Sequence, residues 1–216
     1  MEQTICFIIP SIGREHLSRA LRSLQKQTDT EWNAIVVYDG MNYKAPHGFE
    51  DDLRIQFENS PAKKSAGLTR NFAMQNLRYD WFAFLDDDDK VREDYVEKLR
   101  EEINRFPEVK TVIWRINYNE DIVPDPGSMD FRIGRVGIAF AIHRSVYHYY
   151  GLYFKNQYAE DFDLLDRIRK RGLPMVISPY VVYAVREVDF NFHRNNYEEV
   201  ERNRAVINKD VLLGNL

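Results

Sequence analysis

Only one of the 216 residues is a cysteine, Cys6. That excludes an intrachain disulfide and a cysteine-built zinc site. Cys6 falls in an apolar run and reads as a small buried side chain. No apolar run approaches the roughly 20 residues that a helix needs to cross a bilayer. The first residues carry neither the basic start nor the apolar stretch of a secretory leader. A reducing, cytoplasmic setting is expected, with peripheral attachment to a membrane left open. Lys and Arg number 30 against 34 Asp and Glu, for a formal net charge of −4. No block of basic residues stands out, so nucleic-acid binding is disfavoured. The one local basic run, 167–171, sits where a helix should end and complements the negative end of its dipole. Internal repeats and low-complexity segments are absent.

What the chain does have is apolar and aromatic. Hydrophobic residues make up 44% and aromatics 13%, far from the composition of disordered chains. This supports one domain over 1–194 with a C-terminal extension over 195–216. The first half alternates strands and helices. Residues 5–9 form an apolar run closed by Pro10, and Leu17, Ala20, Leu21 and Leu24 follow at helical spacing. Residues 34–38 are apolar, β-branched and end at Asp39-Gly40. A third strand is expected over 53–57, and Ser65 opens a helix carrying Leu68, Phe72 and Leu77. The strand 81–85 runs straight into aspartates. Val96, Leu99, Ile103 and Phe106 mark an amphipathic helix. This β-α-β-α order predicts an α/β fold built on a mostly parallel, doubly wound sheet flanked by helices.

The second half is less regular. Residues 111–118 read as a strand, and 119–134, rich in Pro, Gly and Asp, as a long loop of the kind that often binds or covers a ligand. Residues 136–142 read as a strand, 145–150 as a short helix and 161–171 as a helix ended by Gly172. Two extended pieces follow at 175–177 and 181–185. Residues 197–213 read as a polar helix with Val200, Ile207 and Val211 on one stripe.

Ligands of open parallel sheets bind at the carboxyl ends of the strands. Three polar signals fall there: Pro10, Ser11, Gly13 and Arg14 after the first strand, Asp39 after the second, and the run of Asp86, Asp87, Asp88 and Asp89 after the strand 81–85. Four successive aspartates repel one another, so a counter-charge is expected beside them. Carboxylate oxygens suit hard divalent ions such as Mn²⁺ or Mg²⁺. The competing reading leaves Asp87 and Asp89 as solvated loop charges, with one aspartate capping the next helix. An EF-hand is excluded, because its glycine and terminal glutamate spacing is missing. Glu160 and Asp161 open a helix, where a carboxylate serves either as a general base or as a dipole-stabilising cap. His193 follows the last extended piece.

The order of these motifs resembles the inverting glycosyltransferases of family 2, over roughly residues 4–194. Phe7-Ile8-Ile9-Pro10-Ser11 looks like that family's opening strand and turn, and the stretch 19–28, ending Gln27-Thr28, like its first helix. Ile35-Val36-Val37-Tyr38-Asp39-Gly40 looks like the second strand with its acidic end. Residues 66–71, ending Arg70-Asn71, resemble the family's Ala-Arg-Asn helix start. Phe82-Ala83-Phe84-Leu85-Asp86-Asp87-Asp88-Asp89 resembles the stretch that holds the DXD motif.

The resemblance implies the GT-A fold, with a nucleotide-binding half over 1–110 and an acceptor half over 111–194. It implies transfer of a sugar, with inversion, from a nucleotide-diphosphate donor, UDP-linked by preference, to a hydroxyl of a glycan or other acceptor. Asp39 would bind the base, with Pro10, Ser11 and Lys64 near it. Arg14 would reach a phosphate, and Arg70 and Asp87 would belong to the donor site. Asp86 and Asp88 would be the DXD acids and hold Mn²⁺ or Mg²⁺, joined by His193. Asp161, with Glu160, would be the catalytic base. Acceptor contacts are expected from the loop 119–134 and from Trp114, Tyr118 and Tyr158.

Two departures stand out. Tyr38 stands where a second acid is usual, and Ile12 where an aromatic is common. Two rivals remain at this level: a nucleotidyltransferase of similar fold, weakened by the poverty of glycine and basic residues after the first strand, and a catalytically silent sugar-nucleotide-binding module.

Overall fold

The computed structural model describes residues 3–40, 44–61, 65–118, 121–125 and 131–186, and the backbone of 205–207. Strand β1 (Ile5–Ser11) is buried along its whole length, as a central strand covered on both faces must be. It pairs in parallel with β2 (Asn33–Tyr38) on one side and with β4 (Trp81–Phe84) on the other. β3 (Ile55–Asn59) extends this parallel half beyond β2. Two of these parallel crossovers are helical, β1 to β2 and β3 to β4, while the described residues between β2 and β3 form turns. α1 (Leu17–Gln25) buries Leu17, Ala20, Leu21 and Leu24, the i, i+3, i+4, i+7 stripe read from the sequence. α2 (Ala66–Asn76) starts on Ser65, whose hydroxyl accepts the Leu68 N–H at 3.4 Å. Parallel pairing brings the carboxyl ends of β1, β2 and β4 to one edge: Ser11 lies opposite Tyr38, and Ile8 opposite Phe84.

Beyond β4 the sheet becomes mixed. A two-residue strand β5 (Lys90–Val91) leads to α3 (Tyr95–Arg105), then to β6 (Thr111–Tyr118) and β7 (Asp121–Val123). β8 (Phe140–His143) runs antiparallel to both β4 and β6. After α4 (Ser145–His148) and α5 (Glu160–Lys170), β9 (Met175–Ala184) returns parallel to β6. β10 (Ala205–Ile207) closes the order β10-β9-β6-β8-β4-β1-β2-β3. The doubly wound parallel half is therefore as expected, and the second half is joined through the antiparallel β8. Among the described residues no helix is long and apolar enough to cross a membrane.

Several expected elements shift. The third strand begins at Ile55, and Leu53 is 95% exposed: the turn that orders Arg54 on Asp52 takes the preceding residues. The loop 119–134 contains β7, which folds back on β6 as a hairpin arm. Within 136–142 only the end from Phe140 onward joins the sheet. The two extended pieces at 175–185 are one ten-residue strand that passes through Pro179, its register against β6 shifting around Arg115. The helix expected over 197–213 fails at its centre, where Ala205, Val206 and Ile207 pair antiparallel with the buried Met175–Ile177 end of β9. A β-branched pair beside an open sheet edge gains ladder hydrogen bonds that a lone polar helix would lack. The remainder of the 195–216 extension lies outside the described residues.

Candidate active site

Three strand ends meet at the sheet edge and are hydrogen-bonded to one another. The Asp39 N–H donates to the Ser11 carbonyl at 2.8 Å, tying the end of β2 to that of β1. The Ser11 hydroxyl donates to Asp87 Oδ2 at 2.7 Å, tying β1 to the loop after β4. Asp87 also accepts the Ile12 N–H at 3.4 Å. Arg14 completes the corner, its Nη1 lying 3.2 Å from Asp87 Oδ1 and 3.1 Å from Asp88 Oδ2. Arg19 of α1 donates to the Asp88 carbonyl. Pro10, Ser11, Ile12, Asp39 and Ala66, with Asp86, Asp87 and Asp88, line a cavity of about 180 Å³. Asp39 is buried there.

Tyr38, which replaces a second acid, is fully buried; its hydroxyl donates to the Lys44 carbonyl at 2.9 Å and its ring stacks on Phe57. It braces the loop after β2 instead of facing a ligand.

The second feature is an arginine bridge. Arg70 leaves α2 with 2% of its surface exposed. It donates from Nη2 to Asp86 Oδ1 at 2.5 Å and from Nη1 to Glu160 Oε1 at 3.0 Å, and its guanidinium lies 5.2 Å from the Phe154 ring centroid. Burial works against its charge, but Asp86 and Glu160 outweigh that and raise its pKa. Gly67 lets the helices approach: a Cβ there would sit 2.9 Å from Glu160 Cγ and 3.0 Å from Phe154 Cβ. The close approach thus demands glycine in the first turn of α2, so that Arg70 reaches α5.

α5 is preceded by Ala159 in the left-handed region, φ 53°, with no side-chain cap. Glu160 and Asp161 are therefore first-turn residues, not the cap. Asp161 Oδ1 accepts the N–H of Phe162 at 2.7 Å. Burial pushes the Asp161 carboxyl above the usual range; the Phe162 N–H opposes this, the charge of Glu160 adds to it, and Arg70 opposes it.

Asp87 and Asp89 are buried, so neither is the solvated loop charge of the competing sequence reading. Burial raises the Asp87 carboxyl, opposed by Ser11 and Arg14. Asp89 receives the Tyr183 hydroxyl at 2.7 Å and the Arg186 N–H at 2.9 Å. The same hydroxyl accepts the Asp86 N–H at 3.2 Å. Tyr183 is thus a pin between β9 and the aspartate loop. Burial first, then the charge of Asp86, pushes the Asp89 carboxyl up to about 7.

The sign of the resulting pH dependence follows from linkage. Below the unfolded value of 3.8 both states hold the proton; between 3.8 and about 7 only the folded state does. Stability from this group therefore falls as pH rises through that window, by at most about 1.4 kcal/mol per pH unit. Asp89→Asn, melted in EDTA between about pH 4 and 8, should lose this falling component relative to wild type. Parallel wild-type and variant curves would contradict it.

A second cavity of about 390 Å³ lies beyond the acids, lined by Arg14, Asp86, Asp88, Ile116, Gly137 and Tyr183 among others. Arg14, Asp86 and Asp88 border both cavities and form the partition between them. Among the described residues no group of three or more His, Cys, Asp or Glu side chains is arranged to hold a metal. Lys64 and His193 lie outside the described residues. Trp114, expected at the acceptor side, is fully buried against Tyr95, centroids 5.0 Å apart, and belongs to the core; Tyr118 and Tyr158 are exposed. Sequence reasoning missed Tyr183 and Gly137. Tyr183 sits in an unbroken apolar run and reads as core, and Gly137 stands in a short strand-like stretch with nothing local to mark it.

Residues 6–179 match Glycosyl transferase family 2. The chain belongs to that family. Its sheet and flanking helices accordingly form the GT-A fold. A glycosyltransferase of Haemophilus influenzae, itself uncharacterized, is 25% identical over 109 residues, half of this chain and 37% of that protein. In structure the chain is similar to S. aureus TarS in complex with UDP-GlcNAc, with a TM-score of 0.70 at 15% identity over 90% of this chain and 61% of that one. It is also similar to a mannosyltransferase of Pyrobaculum calidifontis in complex with GDP-Man and Mn²⁺, with a TM-score of 0.66 at 15% identity over 89% of this chain and 59% of that one. The family 2 chain described here thus spans about three fifths of these structural relatives. At such identities they speak for the fold.

Proposed function

We propose that this family 2 enzyme is a metal-dependent, inverting glycosyltransferase that moves a hexosyl group from a nucleoside-diphosphate sugar, UDP-linked by preference, to a hydroxyl of a glycan or similar acceptor. The observation that carries this reading is the partition: Asp86 and Asp88 stand between two cavities, and Arg70 and Glu160 link Asp86 to the helix that bears Asp161. The smaller cavity suits the nucleoside. Asp39 accepts hydrogen bonds from the base, while Ile12 offers it an apolar edge in place of an aromatic. Arg14, at the partition, faces the diphosphate. The complexes of TarS with UDP-GlcNAc and of the mannosyltransferase with GDP-Man support a donor of this class.

The acids fit a hard divalent ion. They offer carboxylate oxygens, and the four aspartates 86–89 outnumber the two arginines paired with them, Arg14 and Arg70. Asp88 and Asp86, with His193, would hold Mn²⁺ or Mg²⁺, which when bound withdraws charge from the departing diphosphate. The remaining work falls to side chains. Asp161, a half-buried carboxylate made more basic by desolvation, takes the proton of the acceptor hydroxyl. Arg70 fixes the spacing of Asp86 and Glu160, and hence of the donor edge relative to α5. A half-buried acid of raised basicity, on the helix that Arg70 ties to Asp86, favours a transferase over a silent binding module.

A thermal-shift panel of uridine and guanosine diphosphate sugars, each with Mn²⁺, tests the reading. A UDP-sugar at saturating excess should stabilise the protein by about 3–4 kcal/mol, and EDTA should remove most of that gain. Absence of stabilisation by every nucleotide tried would refute the donor site.

A further inference from the structure

Gly137 is not needed by its backbone. Its φ lies outside the left-handed region, unlike that of Gly134 at 78° or Gly172 at 76°. The absent side chain therefore serves space. A Cβ on Gly137 would meet two atoms: Ile116 Cδ1 at 3.3 Å and Asp161 Oδ2 at 3.7 Å. The first is the far end of a flexible side chain and can give by a few tenths of an ångström. The second is one oxygen of the proposed base.

The two oxygens of Asp161 divide their roles. Oδ1 is engaged by the Phe162 N–H at 2.7 Å, which orients the carboxylate. Oδ2 lies against Gly137, and Gly137 lines the larger cavity with Asp86, Asp88 and Ile116. Asp161 itself does not line that cavity, so the bare Cα of Gly137 is the part of the wall nearest Oδ2.

We infer that Gly137 is a positioning residue of the transfer step: its missing side chain is the opening through which the acceptor's attacking oxygen reaches Asp161. This rests on the transferase reading and adds to it the route of the acceptor. A proton donor must approach the base to about 2.6–3.2 Å. A methyl in contact with Oδ2 covers that approach from the cavity side. The nucleoside cavity, lined by Pro10, Ser11 and Asp39, does not include Gly137 and stays as it is.

The test uses Gly137→Ala and Gly137→Val, with water as the acceptor. The donor is whichever of UDP-GlcNAc, UDP-glucose, UDP-galactose and GDP-mannose the wild type hydrolyses in Mn²⁺. Gly137→Ala should lower kcat for hydrolysis by about tenfold and Gly137→Val by about a hundredfold or more, with donor KM and the Kd of the nucleoside diphosphate within about twofold. A second variant separates access from packing. Ile116→Val removes the atom nearest the new methyl, so Gly137→Ala/Ile116→Val relieves any clash but leaves Oδ2 covered. The double variant should stay as slow as Gly137→Ala. Recovery of wild-type kcat in the double variant, an undiminished kcat in Gly137→Val, or nucleotide affinity falling in step with kcat would each overturn the inference. A wild type that binds and hydrolyses none of the four donors would instead sink the transferase reading, before any variant is compared.

Discussion

Asp161→Asn is expected to lower turnover by roughly 10²–10⁴-fold, the usual contribution of a positioned general base, while nucleotide affinity stays within about twofold. The substitution keeps shape and keeps an oxygen to accept the Phe162 N–H now held by Oδ1. What it removes is the basic oxygen beside Gly137. Asp161 lines neither cavity, and so not the smaller one proposed for the nucleoside, which leaves donor binding no reason to change. Burial favours the neutral side chain, so the variant should also be at least as stable as wild type, given that the Asp161 carboxyl is pushed upward in the folded protein. Stopped assays of donor consumption, paired with calorimetry of nucleotide binding, check both halves. Near-normal turnover would show that another group accepts the proton.

Arg70→Met carries the largest expected cost in stability. The guanidinium is buried and lies against Asp86 and Glu160, whose side chains are 33% and 24% exposed. Removing the cation from a buried pair commonly costs about 3–5 kcal/mol, because the partner charge is left without compensation. The partial exposure of both acids lets water take up some of this, so about 2–3 kcal/mol is expected, a fall of about 4–12 °C in Tm. Arg70→Lys should recover little. A lysine offers one compact charge where the arginine fork spans two acids. Adding Glu160→Gln to Arg70→Met should return part of the loss, a coupling read from a double-mutant cycle. An Arg70→Met protein that melts with wild type would break the bridge argument, and with it the claim that α2 sets the position of α5.

Much of the parallel half was legible because its signals are local. Apolar runs of strand length stop at Pro10 and Asp39, and α1 carries its buried stripe at the spacing a helix demands. The three polar strand ends could be placed together from topology alone, since parallel strands joined by helical crossovers send their carboxyl ends the same way. Their hydrogen bonds confirm that placement, Ser11 to Asp87 and Asp39 to Ser11. The burial of Asp87 and Asp89 was not legible. Asp87 is held by Ser11 and Arg14, more than 70 residues earlier, and Asp89 by Tyr183 and Arg186, more than 90 further on. The same is true of Arg70. Its place before Asn71 suggested a donor-site role, but its grip on Glu160 spans 90 residues and needs the bare face of Gly67. β10 escaped because three apolar residues in a polar stretch fit a helical stripe as readily as an edge strand, and only the free edge of β9 decides between them.

The proposed transfer needs one arrangement: a nucleotide sugar across the Asp86–Asp88 partition, with its anomeric carbon open to Asp161. Proton NMR of donor hydrolysis reads it directly. With Mn²⁺ and a UDP-α-sugar, the signal of the free β-anomer should appear first, followed by slow mutarotation, as nucleoside diphosphate accumulates. Release of the α-anomer first would contradict the single displacement, and an unchanged spectrum for every nucleotide sugar tried would contradict the transferase itself.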